Sequence, residues 1–141
     1  MTTSLTKPLY TARASATGGR AGHAVSDDDI IDLDLRPPKE MGGPGGATNP
    51  EQLFAAGYAA CFQSALSVVG RRQGTDTSSS TVEAGVTIGT IPGGYGLAVA
   101  LRVSIPGVEP ETVRALADAA HQVCPYSNAT RGNIDVTITA G

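Results

Sequence analysis

Two cysteines, Cys61 and Cys124, are the side chains in this sequence best suited to do chemistry. Each lies in an apolar setting. Cys61 sits inside the uncharged run Gln52 to Gly70, and Cys124 ends the stripe Val113, Leu116, Ala117, Ala120, Val123. Both therefore point at a core, and a shared core would bring them together. Free thiols commonly pack there as small inert hydrophobes. The chemical alternative is a pair that cycles through a disulfide, and the two members would then differ. A nucleophilic thiol must ionise, which burial opposes, so it needs a cation nearby. Cys124 falls at a helix C-terminus, where the dipole disfavours negative charge. Beside Pro125 and ahead of Gly132, it would sit on a frayed end able to swing, which suits a resolving thiol. Cys61 is then the attacking sulfur, with its cation supplied from elsewhere in the chain.

The elements that must hold these sulfurs are legible in the periodicity. Tyr10, Ala12, Ala14 and Ala16 alternate with polar residues as a first strand, and Gly18 to Gly22 turns the chain into a second at His23–Ser26. Ile31, Leu33 and Leu35 alternate with Asp32 and Asp34 as a half-buried third strand, stopped by Pro37-Pro38. Val82, Ala84, Val86 and Ile88 mark a fourth. A turn over Ile91 to Gly96 leads into Leu97, Val99, Leu101, Val103 and Ile105, and Ile134, Val136 and Ile138 close the chain. Met41 to Ala47, rich in glycine, reads as a flexible loop. It lacks a Gly-Lys-Ser/Thr ending, so it is no phosphate loop, and it could cover a site.

Two helices separate the strands. The first opens with Asn49 as N-cap and Pro50 at the first position, and runs to about Gly70–Gly74. From Leu53 to Phe62 it has no polar face, so it must be covered on every side. A single sheet covers one side only, which points to a homodimer whose partner covers the other. The second helix starts near Glu109-Pro110-Glu111 and ends at Cys124, because Pro125 disfavours helical geometry there. The expectation is a single domain over residues 1–141, α+β, with a mainly antiparallel sheet and the order βββ-α-ββ-α-β.

Composition narrows the function classes. With 40% apolar and 16% charged residues, the chain can form a core and is not globally disordered. A net charge of −3 offers no basic footprint for nucleic acid or an anionic membrane. The run Gln52–Gly70 has the length of a membrane span, but it is Ala-rich and interrupted by Gln63, Ser64 and Ser67, and reads as a buried soluble helix. The first ten residues carry no signal-peptide pattern, and two cysteines do not make a secreted disulfide scaffold, so a cytoplasmic protein is expected. Without a secretory signal, Asn128-Ala129-Thr130 is a chance glycosylation match.

Two long motifs, each centred on one cysteine, resemble a known family. Thr48-Asn49-Pro50-Glu51-Gln52-Leu53-Phe54-Ala55-Ala56-Gly57-Tyr58, running on to Ala60-Cys61-Phe62, resembles the first cysteine motif of the organic hydroperoxide resistance proteins. Cys124-Pro125-Tyr126-Ser127-Asn128-Ala129-Thr130-Arg131-Gly132-Asn133 resembles their second, and Gly18-Gly19-Arg20 their arginine loop. Pro38-Lys39-Glu40 fits as well, and the likeness spans essentially the whole chain. Ala21 departs from it, standing where a polar residue is expected, as does Gly-Pro-Gly at 43–45.

The resemblance implies an intertwined homodimer of the OsmC/Ohr superfamily and a peroxidase that reduces organic hydroperoxides to alcohols. It implies Cys61 as the peroxidatic thiol and Cys124 as the resolving one. Arg20 would be the cation that holds the Cys61 thiolate, with Glu51 its salt-bridge partner. It implies no bound cofactor, and dihydrolipoyl groups on a lipoylated protein as the external dithiol. Taken alone, Glu51 is an ordinary first-turn acid and Arg20 an ordinary turn residue. Tyr126 and Phe54 could line an apolar substrate pocket or be plain core aromatics. Other readings are an osmotically inducible peroxidase of the same superfamily, an apolar ligand carrier, or a metal site built from His23, Cys61, His121 and Cys124. The last lacks paired metal-ligand spacing.

Overall fold

Residues 2–141 are described by a computed structural model, in which the chain divides into two compact units, Met1–Pro50 and Glu51–Gly141. The first carries an antiparallel sheet of β1 (Ala14–Thr17), β2 (His23–Ser26) and β3 (Asp32–Asp34), in that order. Between β1 and β2, Gly18 at φ 74° and Gly19 at φ 58° bend the chain into a 3-10 turn, Gly19–Ala21. The first strand is shorter than its alternation predicts. It begins at Ala14 and leaves Tyr10 84% exposed, because Ala alternating with Thr, Arg and Ser carries little hydrophobic drive. The expected half-burial of the third strand is not found either: β3 is exposed, and Leu35 just beyond it is the buried residue.

The glycine-rich stretch is tied down rather than loose. Gly42, Gly43 and Gly45 donate N–H bonds to the carbonyls of Lys39, Pro38 and Pro37 at 2.9–3.0 Å. A Cβ on Gly43 would lie 2.3 Å from the Pro37 carbonyl oxygen, so a side chain is excluded there.

The second unit is built around α1 (Pro50–Gln73). Its start at Pro50 and its end match the sequence signals. After Gln73 the chain closes in a Schellman motif: Gly74, at φ 74°, donates to Arg71 O, and Thr75 donates to Gly70 O. Tyr58, Phe62, Ala65, Leu66 and Val69 form its buried face. They belong to one cluster with Val99, Leu101 and Val103 of β5 (Gly94–Ser104) and with Val113, Leu116, Ala117 and Ala120 of α2 (Pro110–Val123). Each such large side chain contributes about 1.5–3 kcal/mol on burial. α1 passes by length and composition for a membrane-crossing helix, although a third of its most apolar stretch is buried in this core. Its own chain does not cover it all round: Gln52, Ala56, Ala60 and Ser64 are exposed along one edge, the side the sequence reading leaves to a partner.

β5 is the middle strand of a second sheet. β4 (Thr81–Ile91) pairs with it antiparallel through a two-residue turn at Pro92-Gly93, tighter than the six-residue turn the sequence suggests. Val82, Ala84, Val86 and Ile88 turn inward, as their alternation predicts. β6 (Val136–Ala140) runs parallel to β5. The protein therefore has two three-stranded sheets where one was expected, and one of its pairings is parallel. The cause of that pairing is the helical excursion after β5, which carries the chain back to the end where β5 begins. The excursion holds an additional short helix, α3 (Pro125–Thr130), so the order is βββ-α-ββ-α-α-β. α2 ends where Pro125 requires, at Cys124 with ψ 125°. Val123, placed by its spacing on the apolar stripe, is 38% exposed.

Candidate active site

Phe54, Tyr58 and Cys61 recur at intervals of four and three on α1 and so share one face. Against that face lies the α2–α3 junction. The Cys61 and Cys124 sulfurs lie 3.6 Å apart, and both cysteines are free. The two sulfurs thus share one core, as their apolar settings predict. Cys124 is not on a frayed end, however. It is fully buried, with its N–H bonded to Ala120 O and its carbonyl accepting from the Asn128 N–H, because the chain re-enters a helix at once. Cys61 is only partly buried and is the more accessible residue of the two.

Burial pushes the Cys61 thiol above its ordinary value, and the neighbouring Cys124 pushes it the same way. The main-chain N–H of Tyr126 acts against both by donating to the sulfur. Desolvation leads, so these groups alone leave Cys61 protonated at neutral pH.

The aromatic side chains form a wall beside the sulfurs. Phe54, Tyr58 and Tyr126 meet with ring centroids 5.6–6.2 Å apart, in edge-on or tilted pairs. Tyr58 is fully buried, whereas Tyr126 is 38% exposed. Gly57 permits this packing: a Cβ there would lie 2.8 Å from the Tyr126 hydroxyl. Beneath the wall the Tyr58 hydroxyl meets Ser127 Oγ at 2.8 Å and Thr130 Oγ1 at 3.1 Å, and Ser127 Oγ meets His121 Nδ1 at 2.8 Å. Burial, and then the charge of Arg131, pull the His121 pKa below its ordinary value. Sequence reasoning missed this set. Its one signal was a tyrosine hydroxyl inside an apolar helix, which needs a partner when buried.

Arg20 lies on the 3-10 turn Gly19–Ala21 of the first unit, half-buried, and Glu51 lies in the first turn of α1. The turn that carries Arg20 is braced from within its own unit. Arg36 Nη1 donates to the carbonyls of Ala21 and Gly22 at 3.1 Å and to that of Leu35. On the adjoining strand pair His23 sits between Asp34, at 2.7 Å, and Asp32. These hydrogen bonds, Asp34 first, raise its pKa and lower that of Asp34. Among the described residues no three His, Cys, Asp or Glu side chains converge as metal ligands. His121 is committed to Ser127 and His23 to its aspartates.

Comparison with known proteins places this geometry. Residues 43–139 match the profile of the OsmC-like protein family. The organic hydroperoxide resistance protein of Xanthomonas axonopodis pv. citri is 56% identical over 135 residues, 94% of this chain and 95% of its own length. A crystal structure of an organic hydroperoxide resistance protein from Legionella pneumophila superposes with TM-score 0.89 at 49% identity, covering 94% of this chain and 98% of that one. The corresponding Bacillus subtilis structure gives TM-score 0.86 at 44% identity, over 94% and 98%.

Proposed function

The chain belongs to the OsmC-like family, in its organic hydroperoxide resistance branch, and from that membership we propose that it is a cysteine-based peroxidase converting organic hydroperoxides to alcohols. The observation that most supports a catalytic pair is the 3.6 Å contact between Cys61 and Cys124 beside a half-open aromatic wall. The Cys61 thiolate attacks one peroxide oxygen, the O–O bond breaks, and the alkoxide takes a proton and leaves as alcohol. Cys61 becomes a sulfenic acid. The Cys124 sulfur then attacks the Cys61 sulfur, the S–O bond breaks, and the oxygen leaves as water with the proton of Cys124. An external dithiol, proposed to be a dihydrolipoyl group on a lipoylated protein, reduces the resulting disulfide by thiol exchange.

Because burial opposes ionisation of Cys61, the reaction needs a positive charge. We assign that role to Arg20, oriented by Glu51, from the resemblance of their motifs. Phe54 and Tyr126 are assigned the apolar part of the substrate, which favours bulky organic hydroperoxides over hydrogen peroxide. The exposed edge of α1 borders an open groove of about 550 Å³ lined by Ala60, Gln63, Ser64 and Ser67, and we assign this face to a second copy of the chain.

A coupled turnover assay tests the reading. With dihydrolipoamide as donor, the protein should consume cumene hydroperoxide faster than hydrogen peroxide, and Cys61→Ser should abolish consumption. Full turnover by Cys61→Ser, or binding of the hydroperoxide without its consumption, would overturn it.

A further inference from the structure

The buried hydroxyls beneath the aromatic wall admit a complete hydrogen-bond assignment that starts from Thr130. Thr130 Oγ1 lies 3.0 Å from the carbonyl of Tyr126, its i−4 residue, and a carbonyl can only accept. With its proton committed there, Thr130 accepts from Tyr58, Tyr58 accepts from Ser127, and Ser127 accepts from His121 Nδ1–H. Every hydroxyl donates once. Among the described residues, no buried side-chain nitrogen or oxygen is then left without a partner.

This chain links α1, α2 and α3 at the level of the sulfurs. Tyr58 and Cys61 are three residues apart on α1, and Cys124 and Ser127 are three apart across the start of α3. The 2.8 Å Tyr58–Ser127 contact and the 3.6 Å Cys61–Cys124 contact are therefore neighbouring rungs between the same two segments. The chain also ends on Tyr126. The carbonyl of that residue is held by Thr130, and its N–H is aimed at Cys61 Sγ. A six-residue helix has little stability of its own, so its placement depends on such tertiary bonds.

We propose that Tyr58, Ser127, Thr130 and His121 are positioning residues for the second chemical step, holding Cys124 in line with the Cys61 sulfenic acid. The proposal rests on the reading of Cys61 as the peroxidatic thiol. The step balances as given above: the S–S bond forms, the S–O bond breaks, and water leaves with the proton of Cys124. A disulfide is about 2.05 Å long, so the sulfurs must close roughly 1.5 Å along the S–O axis. An α3 free to drift would seldom present Cys124 on that line.

The test separates the two steps in the full-length protein by rapid quench and mass analysis. Reduced protein is mixed with cumene hydroperoxide, and Cys61 oxidation and disulfide formation are timed independently. Tyr58→Phe and Thr130→Val each remove one hydroxyl at nearly constant shape, and Thr130→Ser restores it. Both deletions should slow disulfide formation at least tenfold while Cys61 oxidation changes by less than threefold, and Cys61 sulfinic acid should accumulate at excess peroxide. Thr130→Ser should return the second step to within threefold of wild type. Disulfide formation at the wild-type rate in the folded variants, or an equal loss in both steps, would overturn the proposal. A wild-type protein that fails to oxidise Cys61 would remove the peroxidase reading itself, and this proposal with it.

Discussion

Replacing Cys124 by alanine separates the first sulfur step from the second, and the structure sets the size of the effect. In the wild type the resolving thiol waits 3.6 Å from its target. Effective molarities of well-oriented intramolecular reactions reach about 10⁵ M; even a thousandfold poorer alignment, set against ~1 mM external thiol, leaves an advantage on the order of 10⁵-fold. Cys124→Ala should lose that factor in resolution. It should not lose the first step, because Cys124 raises the Cys61 pKa, so its removal lowers that pKa and enlarges the thiolate fraction. The buried sulfur leaves a small void costing about 1–2 kcal/mol, which a domain of ordinary stability tolerates. One equivalent of hydroperoxide should yield one equivalent of alcohol and a trappable Cys61 sulfenic acid, and the rate of Cys61 alkylation at neutral pH should rise. A variant that leaves the hydroperoxide intact, or turns over at the wild-type rate with a monothiol, would refute this reasoning.

Other consequences follow from single contacts. Gly57→Ala places a Cβ 2.8 Å from the tip of the Tyr126 side chain, which is part-exposed and can yield by a few tenths of an ångström. Helix propensity should then add up to about 1 kcal/mol to stability, while KM for a bulky hydroperoxide rises; a large fall in Tm would show that the ring cannot move. Arg36→Met removes the donor to three carbonyls under the Arg20 turn. Amide exchange at Ala21 and Gly22 should accelerate at least tenfold, and unchanged exchange would deny the brace. His23 should titrate above about 6.5 by NMR, and Asp34→Asn should bring it down. The raised His23 pKa adds stability that is complete below the unfolded histidine value and is lost as pH rises through the folded one. The lowered Asp34 pKa adds stability above the unfolded carboxylate value that is lost as pH falls. Their contribution is therefore greatest between roughly pH 4 and 6.5, and an Asp34→Asn Tm difference that does not shrink above that range would contradict it.

Much of the fold was readable because local signals and burial agree in the second unit. The alternation at Val82–Ile88, the Asn49-Pro50 start of α1 and the break at Pro125 each act within a few residues, and each appears in the structure. What failed depended on distant parts of the chain. The parallel pairing of β5 with β6 follows from where the α2–α3 excursion returns the chain, which no local pattern encodes. α3 has too short an apolar period to detect, so the sequence alone suggests an open end at Cys124, which is in fact enclosed between two helices. Cys61 and Cys124 were legible as a pair because each is centred in its own apolar segment. The Tyr58–Ser127–Thr130–His121 set was not, since its contacts join residues as many as 72 positions apart.

The most direct measurement of the central claim is a titration of the fully reduced protein with substoichiometric cumene hydroperoxide, with intact mass and peptide mapping at each addition. The account predicts one molecule of alcohol for each chain oxidised, a loss of two mass units from that chain, and a single cross-linked peptide pair containing Cys61 and Cys124. Unconsumed hydroperoxide, or oxidised protein whose Cys61 and Cys124 remain as separate thiols, would contradict it.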